Sequence, residues 1–425
     1  MDSGNIAWLL ISASLVLLMT PALAFFYGGM SRSKSVLNMM MMSFGAIGVG
    51  TLAWVLVGYS ISAGPSQSNF LGDPTSNFGL IDVLEGADAN SIISAGFGAT
   101  FAIITVALIS GSVADRMKFS AWLLFAFVWV ILVYAPVSHW VWGTGTEAQD
   151  PGGENGFSAL LGPAGPWFEN VPGPYDFAGG TVVHINAGVA GLVLALILGI
   201  RKGFGKEAMR PHNLPFVMLG AALLWFGWFG FNAGSAFAAD NYAALAWVNT
   251  TVATSIAMLG WLLTEKLRDG KPTSLGAASG VVAGLVAITP SCASVDTWGA
   301  MIIGLFAGVL SALAVGLKYK FGYDDSLDVV GVHLVSGLWG TLAIGLVASG
   351  TINGDAGLIY GGGLQLLGVQ ALAALVVIVY SAIATAIIAY AIKYTMGLRV
   401  SEDVEVAGID FAEHGESAYE EANQR

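Results

Sequence analysis

Two histidines stand inside long apolar stretches: His184 in DFAGGTVVHINAGVAGL and His333 in DDSLDVVGVHLVSGLWG. Each follows an acid, Asp176 eight residues before His184 and Asp328 five before His333. A neutral imidazole donates through one ring nitrogen and accepts through the other. Two of them edge to edge can line a narrow polar path and relay a proton without carrying charge. One histidine in an apolar helix is ordinarily a structural hydrogen-bonding group, but two at matching positions point to function, because ionisable groups in membrane spans are costly and usually functional. His139, His212 and His414 carry less weight, standing near a span end, in a basic loop and in the tail.

Aromatic residues make a second constellation. Phe97 and Phe101 share one side of a stretch (GFGATFAIIT), Trp142 ends another, and Trp225, Phe226, Trp228, Phe229 and Phe231 crowd WFGWFGFNAGS, beside Asn232 and Ser235. Most are packing or interfacial belt, where Trp is enriched in membrane proteins. Aromatic faces with a hydroxyl acceptor also suit a small cation.

The elements that must position these groups follow from charge. All sixteen Lys and Arg fall in six clusters: Arg32 and Lys34; Arg116 and Lys118; Arg201 to Arg210; Lys266 to Lys271; Lys318 and Lys320; Lys393, Arg399 and Arg425. Between clusters there is room for two crossings of about 20 residues each. Cationic loops stay cytoplasmic. Before Arg32 there is room for one crossing, so the count is odd, with the N-terminus outside and the C-terminus inside. Apolar stretches give eleven spans, approximately 6–29, 36–61, 91–112, 120–142, 177–200, 216–236, 245–265, 275–291, 298–317, 329–350 and 364–392. With 56% hydrophobic and 10% charged residues the chain is no ordinary soluble globule, where roughly a quarter of residues are charged. Continuous apolar runs exclude a β-barrel. The expected fold is therefore an all-α polytopic membrane protein.

His184 would lie on an inward-running span and His333 on an outward-running one, five spans apart. This suggests two inverted five-helix repeats, about 6–200 and 216–350, plus a final helix at 364–392, with the site between the halves. The 57 glycines suit close helix packing. Acids without neighbouring bases collect in two external loops, Asp73, Asp82, Glu85 and Asp88 in one and Glu147, Asp150, Glu154 and Glu169 in the other, and raise the local concentration of cations. The first span resembles a signal-peptide core, but it lacks a cationic leader and continues through Tyr27, so it is expected to stay. Cys292 is the sole cysteine, which rules out an intrachain disulfide. The acidic tail, 393–425, reads from composition as a solvated cytoplasmic end.

These residues resemble the ammonium transporter family, the Amt/Mep/Rh group, most closely its bacterial Amt branch. The resemblance is carried by FYGGMSRSKSVLNMM (26–40), ADRMKFSAW (114–122), DFAGGTVVHINAG (176–188), WFGWFGFNAGS (225–235), DDSLDVVGVHLVSGLWG (324–340) and GLRVSEDVEVAGIDFAEHGESAY (397–419). It implies a transmembrane transport domain over 1–392 and a cytoplasmic regulatory tail over 393–425 in a cell-membrane protein. It also implies an external recruitment site from Phe101, Trp142 and Ser235 with Trp228 nearby, a gate of Phe101 and Phe231, and Asp176 as the acid beneath. His184 and His333 would be the pore pair. A homotrimer, docking of a PII-type signalling protein on the cytoplasmic face, and no cofactor or metal are implied as well.

Ammonium is costly to bury as a cation and cheap as ammonia. Potassium, similar in size, has no proton to lose and prefers a cage of oxygens. Selection outside, deprotonation and conduction of ammonia is thus the favoured mechanism. A metal-dependent intramembrane hydrolase is disfavoured, since no Glu or Cys lies near either histidine within a span to complete a site. An ammonium sensor, and an Rh-like channel for another small neutral molecule, are the alternatives. Sensors of the family usually add a signalling domain, and the tail motif with Trp142 favours Amt over Rh.

Overall fold

The computed structural model describes residues 2–65, 70–86, 88–142, 157 and 173–419. The second external acidic loop, with Glu147, Asp150, Glu154 and Glu169, and the chain end with Arg425 lie outside the described residues. Among the described residues, ten helices are long and apolar enough to span a bilayer: α1 Ser3–Met30, α2 Val36–Ala63, α3 Ala89–Val113, α4 Phe119–Trp142, α5 Gly180–Leu198, α6 Leu214–Gly234, α7 Asn241–Asp269, α9 Thr297–Phe321, α10 Val330–Val347 and α11 Gln365–Thr395. Between α7 and α9 lies α8, Ser274–Ile288, which is apolar but shorter. It falls where the eighth span is expected, and its C-terminal end passes into turns through Ser294. The fold is all-helical and polytopic.

Starts and stops are written in side chains. Asp2, Asp88, Asp240, Thr273 and Asp296 accept backbone N–H bonds at the starts of α1, α3, α7, α8 and α9, as N-cap residues do. Close packing uses the glycines. Along α6, a Cβ on Gly230 would stand 2.6 Å from Leu15 Cβ and 2.7 Å from Ser12 O of α1, distances real Cβ atoms do not reach. The α1–α6 pair accordingly packs backbone to backbone, the arrangement small residues permit in lipid. Large apolar side chains such as Leu10, Phe226, Trp247, Phe306 and Ile387 remain exposed on the outer surface.

Both histidine helices open with a π-helical turn, Gly180–Ile185 and Val330–Leu334. Such single-turn widenings are rare and frequent at functional sites. Five residues before each histidine the backbone is left-handed, at Gly179 (φ 113°) and Asp328 (φ 65°). The two helix starts therefore match in register, and Asp328 corresponds to Gly179. The counterpart of Asp176 is Asp325, which like Asp176 stands eight residues before its histidine. Pairing Asp176 with Asp328 is corrected on this point.

The tail is not a solvated end. It folds into α12, Glu402–Ala407, and α13, Ile409–His414, and docks on the basic loops. Lys202 pairs with Glu402, its backbone N–H donates to Glu405 Oε1 at 2.7 Å, and Arg399 pairs with Glu405 at 2.6 Å. Asp410 accepts the N–H groups of Leu37 and Asn38 at 3.0 and 2.8 Å, at the start of α2. Arg201 turns the other way, inward.

Candidate functional site

At the N-terminal end of α3 and the C-terminal ends of α4 and α6, the end expected to face outward, lies a cavity lined by Trp54, Phe101, Tyr134, Trp142, Phe177 and Ser235 among others. The Trp142 ring meets Phe101 edge-on at 5.9 Å and 79°. Ser235 Oγ donates to Phe231 O at 2.8 Å, which leaves its lone pairs free to accept an N–H from a guest. Aromatic faces and a hydroxyl acceptor thus converge at one opening, as cation–π recognition requires.

Phe101 and Phe231 close the floor of this cavity. Their rings stack at 4.2 Å and 20°, and both are buried. Beneath them is a narrow apolar space lined by Leu23, Ile104, Val183, Trp228, His184 and His333 among others. His184 and His333 face each other with Nδ1 to Nδ1 at 3.3 Å and rings 5.4 Å apart at 18°. At that distance one Nδ1 donates and the other accepts, so a neutral pair shares a single hydrogen between them. His184 Nε2 has no partner among the described residues. Trp228 belongs to this lower space, not to the outer cavity. It stacks on His184 at 5.5 Å and 16°, and its Nε1 donates to Thr289 Oγ1 at 2.8 Å. Spacing along α6 explains the shift: Trp228 is seven residues, two turns, from Ser235.

Asp176 is buried and does not line the cavity. Its carboxylate accepts four backbone N–H groups at the start of α5: Gly179 and Gly180 at 3.0 and 2.5 Å, and Thr181 and Val182 at 2.9 and 3.0 Å. Gly179 makes this possible, because a left-handed turn is needed to point the first of these donors back, and glycine adopts it without steric cost. The backbone carbonyl of Asp176 accepts Trp142 Nε1 at 2.7 Å. One residue thus holds both the start of the His184 helix and the cavity's indole. Its counterpart Asp325 likewise accepts a backbone N–H at the start of its helix, from Val330 at 2.7 Å.

At the opposite end of the bundle, Arg201 grips Asp324 through Nε at 2.9 Å and Nη2 at 2.8 Å, and reaches Asp115 at 3.1 Å. Burial alone would lift the Asp324 carboxyl, but the Arg201 guanidinium holds it below the usual range, with Arg116 assisting. Arg116 is fully buried; burial pushes its guanidinium down to about 10 against the pull of Asp324. Arg32 joins the network at Asp115, at 3.1 Å, and its Nη2 donates to Glu405 O at 3.5 Å. The tail is thereby linked, through a backbone carbonyl and then the Arg32–Asp115–Arg201–Asp324 charges, to the loop that starts α10.

Sequence reasoning missed Asp325, although the eight-residue spacing was available to find it. Tyr134 and Gln370 were missed too, and only Gln370, an amide in an apolar run, left a signal.

The family model described as Ammonium Transporter Family matches residues 7–419. The chain belongs to the ammonium transporter family. It is 56% identical over 445 aligned residues to the ammonium transporter of Mycobacterium tuberculosis strain H37Rv, covering 99% of this chain and 91% of the relative. Among solved structures it is similar to Mep2 of Saccharomyces cerevisiae, with TM-score 0.85, 31% identity and coverage of 100% and 93%. It is likewise similar to a structure titled Sensor Amt Protein, with TM-score 0.87, 27% identity and coverage of 97% and 98%. This ammonium transporter is a multi-pass membrane protein.

Proposed function

We propose that the transporter selects ammonium at the outer cavity and conducts ammonia past the histidine pair. Phe101, Trp142 and Ser235 bind the cation, and Asp176 favours it electrostatically from behind. The stacked Phe101 and Phe231 rings must part to admit it. His184 and His333 accept the proton and guide the neutral molecule through the apolar space, with Trp228 as a wall of that space. The observation that carries this reading is the column itself: aromatic cavity, stacked ring pair and Nδ1–Nδ1 histidine contact follow one another without a cage of oxygens between them. The apolar space beyond the ring pair rejects a permanent cation, because an unpaired charge in low dielectric is very costly, whereas ammonium can leave its proton at the histidines.

The reading extends to the assembly. The domain is the membrane unit over 1–392, with the tail over 393–425 as a regulatory element. The protein works as a homotrimer in the cell membrane, N-terminus outside, and a PII-type signalling protein docks on its cytoplasmic face. It acts as a transporter and not as an enzyme, which agrees with the names of the relatives it matches. In proteoliposomes, ammonium added outside is expected to enter in preference to potassium at equal concentration. Equal uptake of the two would reject selection at the cavity.

A further inference from the structure

We infer that Gln370, on the last span, is a positioning residue for the outer site: it clamps the external segment that fixes the Trp142 indole. This inference rests on the cavity being where ammonium is selected. Gln370 is fully buried in α11, which packs along α5 and α10. A buried amide is costly unless bonded, and all its bonds go to backbone on other elements. Its Oε1 accepts Tyr175 N–H at 2.7 Å, and its Nε2 donates to Tyr175 O at 2.8 Å and to Thr341 O at 3.1 Å. One side chain therefore holds both polar groups of a single residue and ties it to α10.

Two-point contact fixes rotation as well as position. Tyr175 is further tethered by its hydroxyl to Asp355, and the next residue is Asp176. The carbonyl of Asp176 receives the Trp142 indole N–H at 2.7 Å. Gln370, Tyr175, Asp176 and Trp142 thus form one line of backbone and side-chain bonds from the last helix to the ring that faces Phe101. An orphaned Tyr175 backbone would let that carbonyl turn, and the indole would lose its anchor. Small misplacements far from the bound group can cost on the order of a hundredfold in rate or binding.

The test uses the full-length transporter in proteoliposomes, with ammonium and potassium as the probes. Gln370→Met keeps length and removes every bond. Half-saturating ammonium is expected to rise about tenfold, with a matching loss of discrimination against potassium and the saturating rate per folded molecule within about twofold. In a Trp142→Leu background Gln370→Met should add nothing further, since both changes act on one contact. Unchanged half-saturation and selectivity, a fall in saturating rate alone, or additive effects would overturn the inference. If the Met variant fails to reach the membrane, Gln370→Glu, which retains the acceptor and loses the amide donor, should shift half-saturation in the same direction by about threefold. A normal value there overturns it equally. Trp142→Leu alone with normal half-saturation would reject the outer site, and the clamp with it, whereas a shifted Trp142→Leu beside a normal Gln370→Met rejects only the clamp.

Discussion

At Asp176 the carboxylate has no lone-pair direction to spare, since four N–H groups converge on it. Asn at this position presents an NH2 to two of those donors, whichever way the amide turns. The expected cost is about 1–3 kcal/mol of stability for the orphaned groups, and uptake per folded molecule should fall more than about tenfold as the charge behind the cavity disappears. Uptake and melting temperature of Asp176→Asn, measured on one preparation, separate the two. A lowered melting temperature with normal uptake would leave Asp176 as a cap only. The histidines, Phe101, Trp142 and Ser235 were legible in the sequence because ionisable and aromatic residues in apolar runs are conspicuous. Trp228 was displaced downward by two helical turns, a distance that residue type alone does not encode. Asp325 was passed over for Asp328, since proximity in sequence to His333 outweighed matching the eight-residue interval.

Among the helices, length and type were readable from apolar runs, and most starts fall within two residues of those expected, 36 against Val36, 120 against Phe119 and 298 against Thr297. The fifth span was expected from 177, but regular structure begins at Gly180, because residues 176–179 are spent capping it. Nothing in composition announces a π-helical turn. The tail was read from composition as a solvated end, whereas its acids meet backbone donors and basic loops that lie hundreds of residues away. The family motif carried that information, and the charge count did not. Removing the chain after Met396 strips partners from Lys202 and from the N–H groups of Leu37 and Asn38. Uptake is expected to fall about fivefold or more, in the range of ordinary coupling between sites, and inhibition by a PII protein should be lost. A truncated transporter with normal uptake that a PII protein still blocks would confine docking to the loops.

For the molecule as a whole, sixteen cations set the expected sidedness and the glycines allow the close packing, and both follow from a lipid solvent. The proposed path runs through the middle of that packing, where the stacked Phe101 and Phe231 rings stand between the aromatic cavity and the histidine pair. The central claim is that a cation enters the outer cavity and a neutral molecule passes the histidines. The most direct test records charge movement across proteoliposome membranes for the double variant His184→Ala and His333→Ala, with ammonium and then potassium added outside. The account predicts that the ammonium response is abolished, or that it is joined by a potassium current the native protein lacks. Native ammonium currents with no potassium current in the double variant would contradict it.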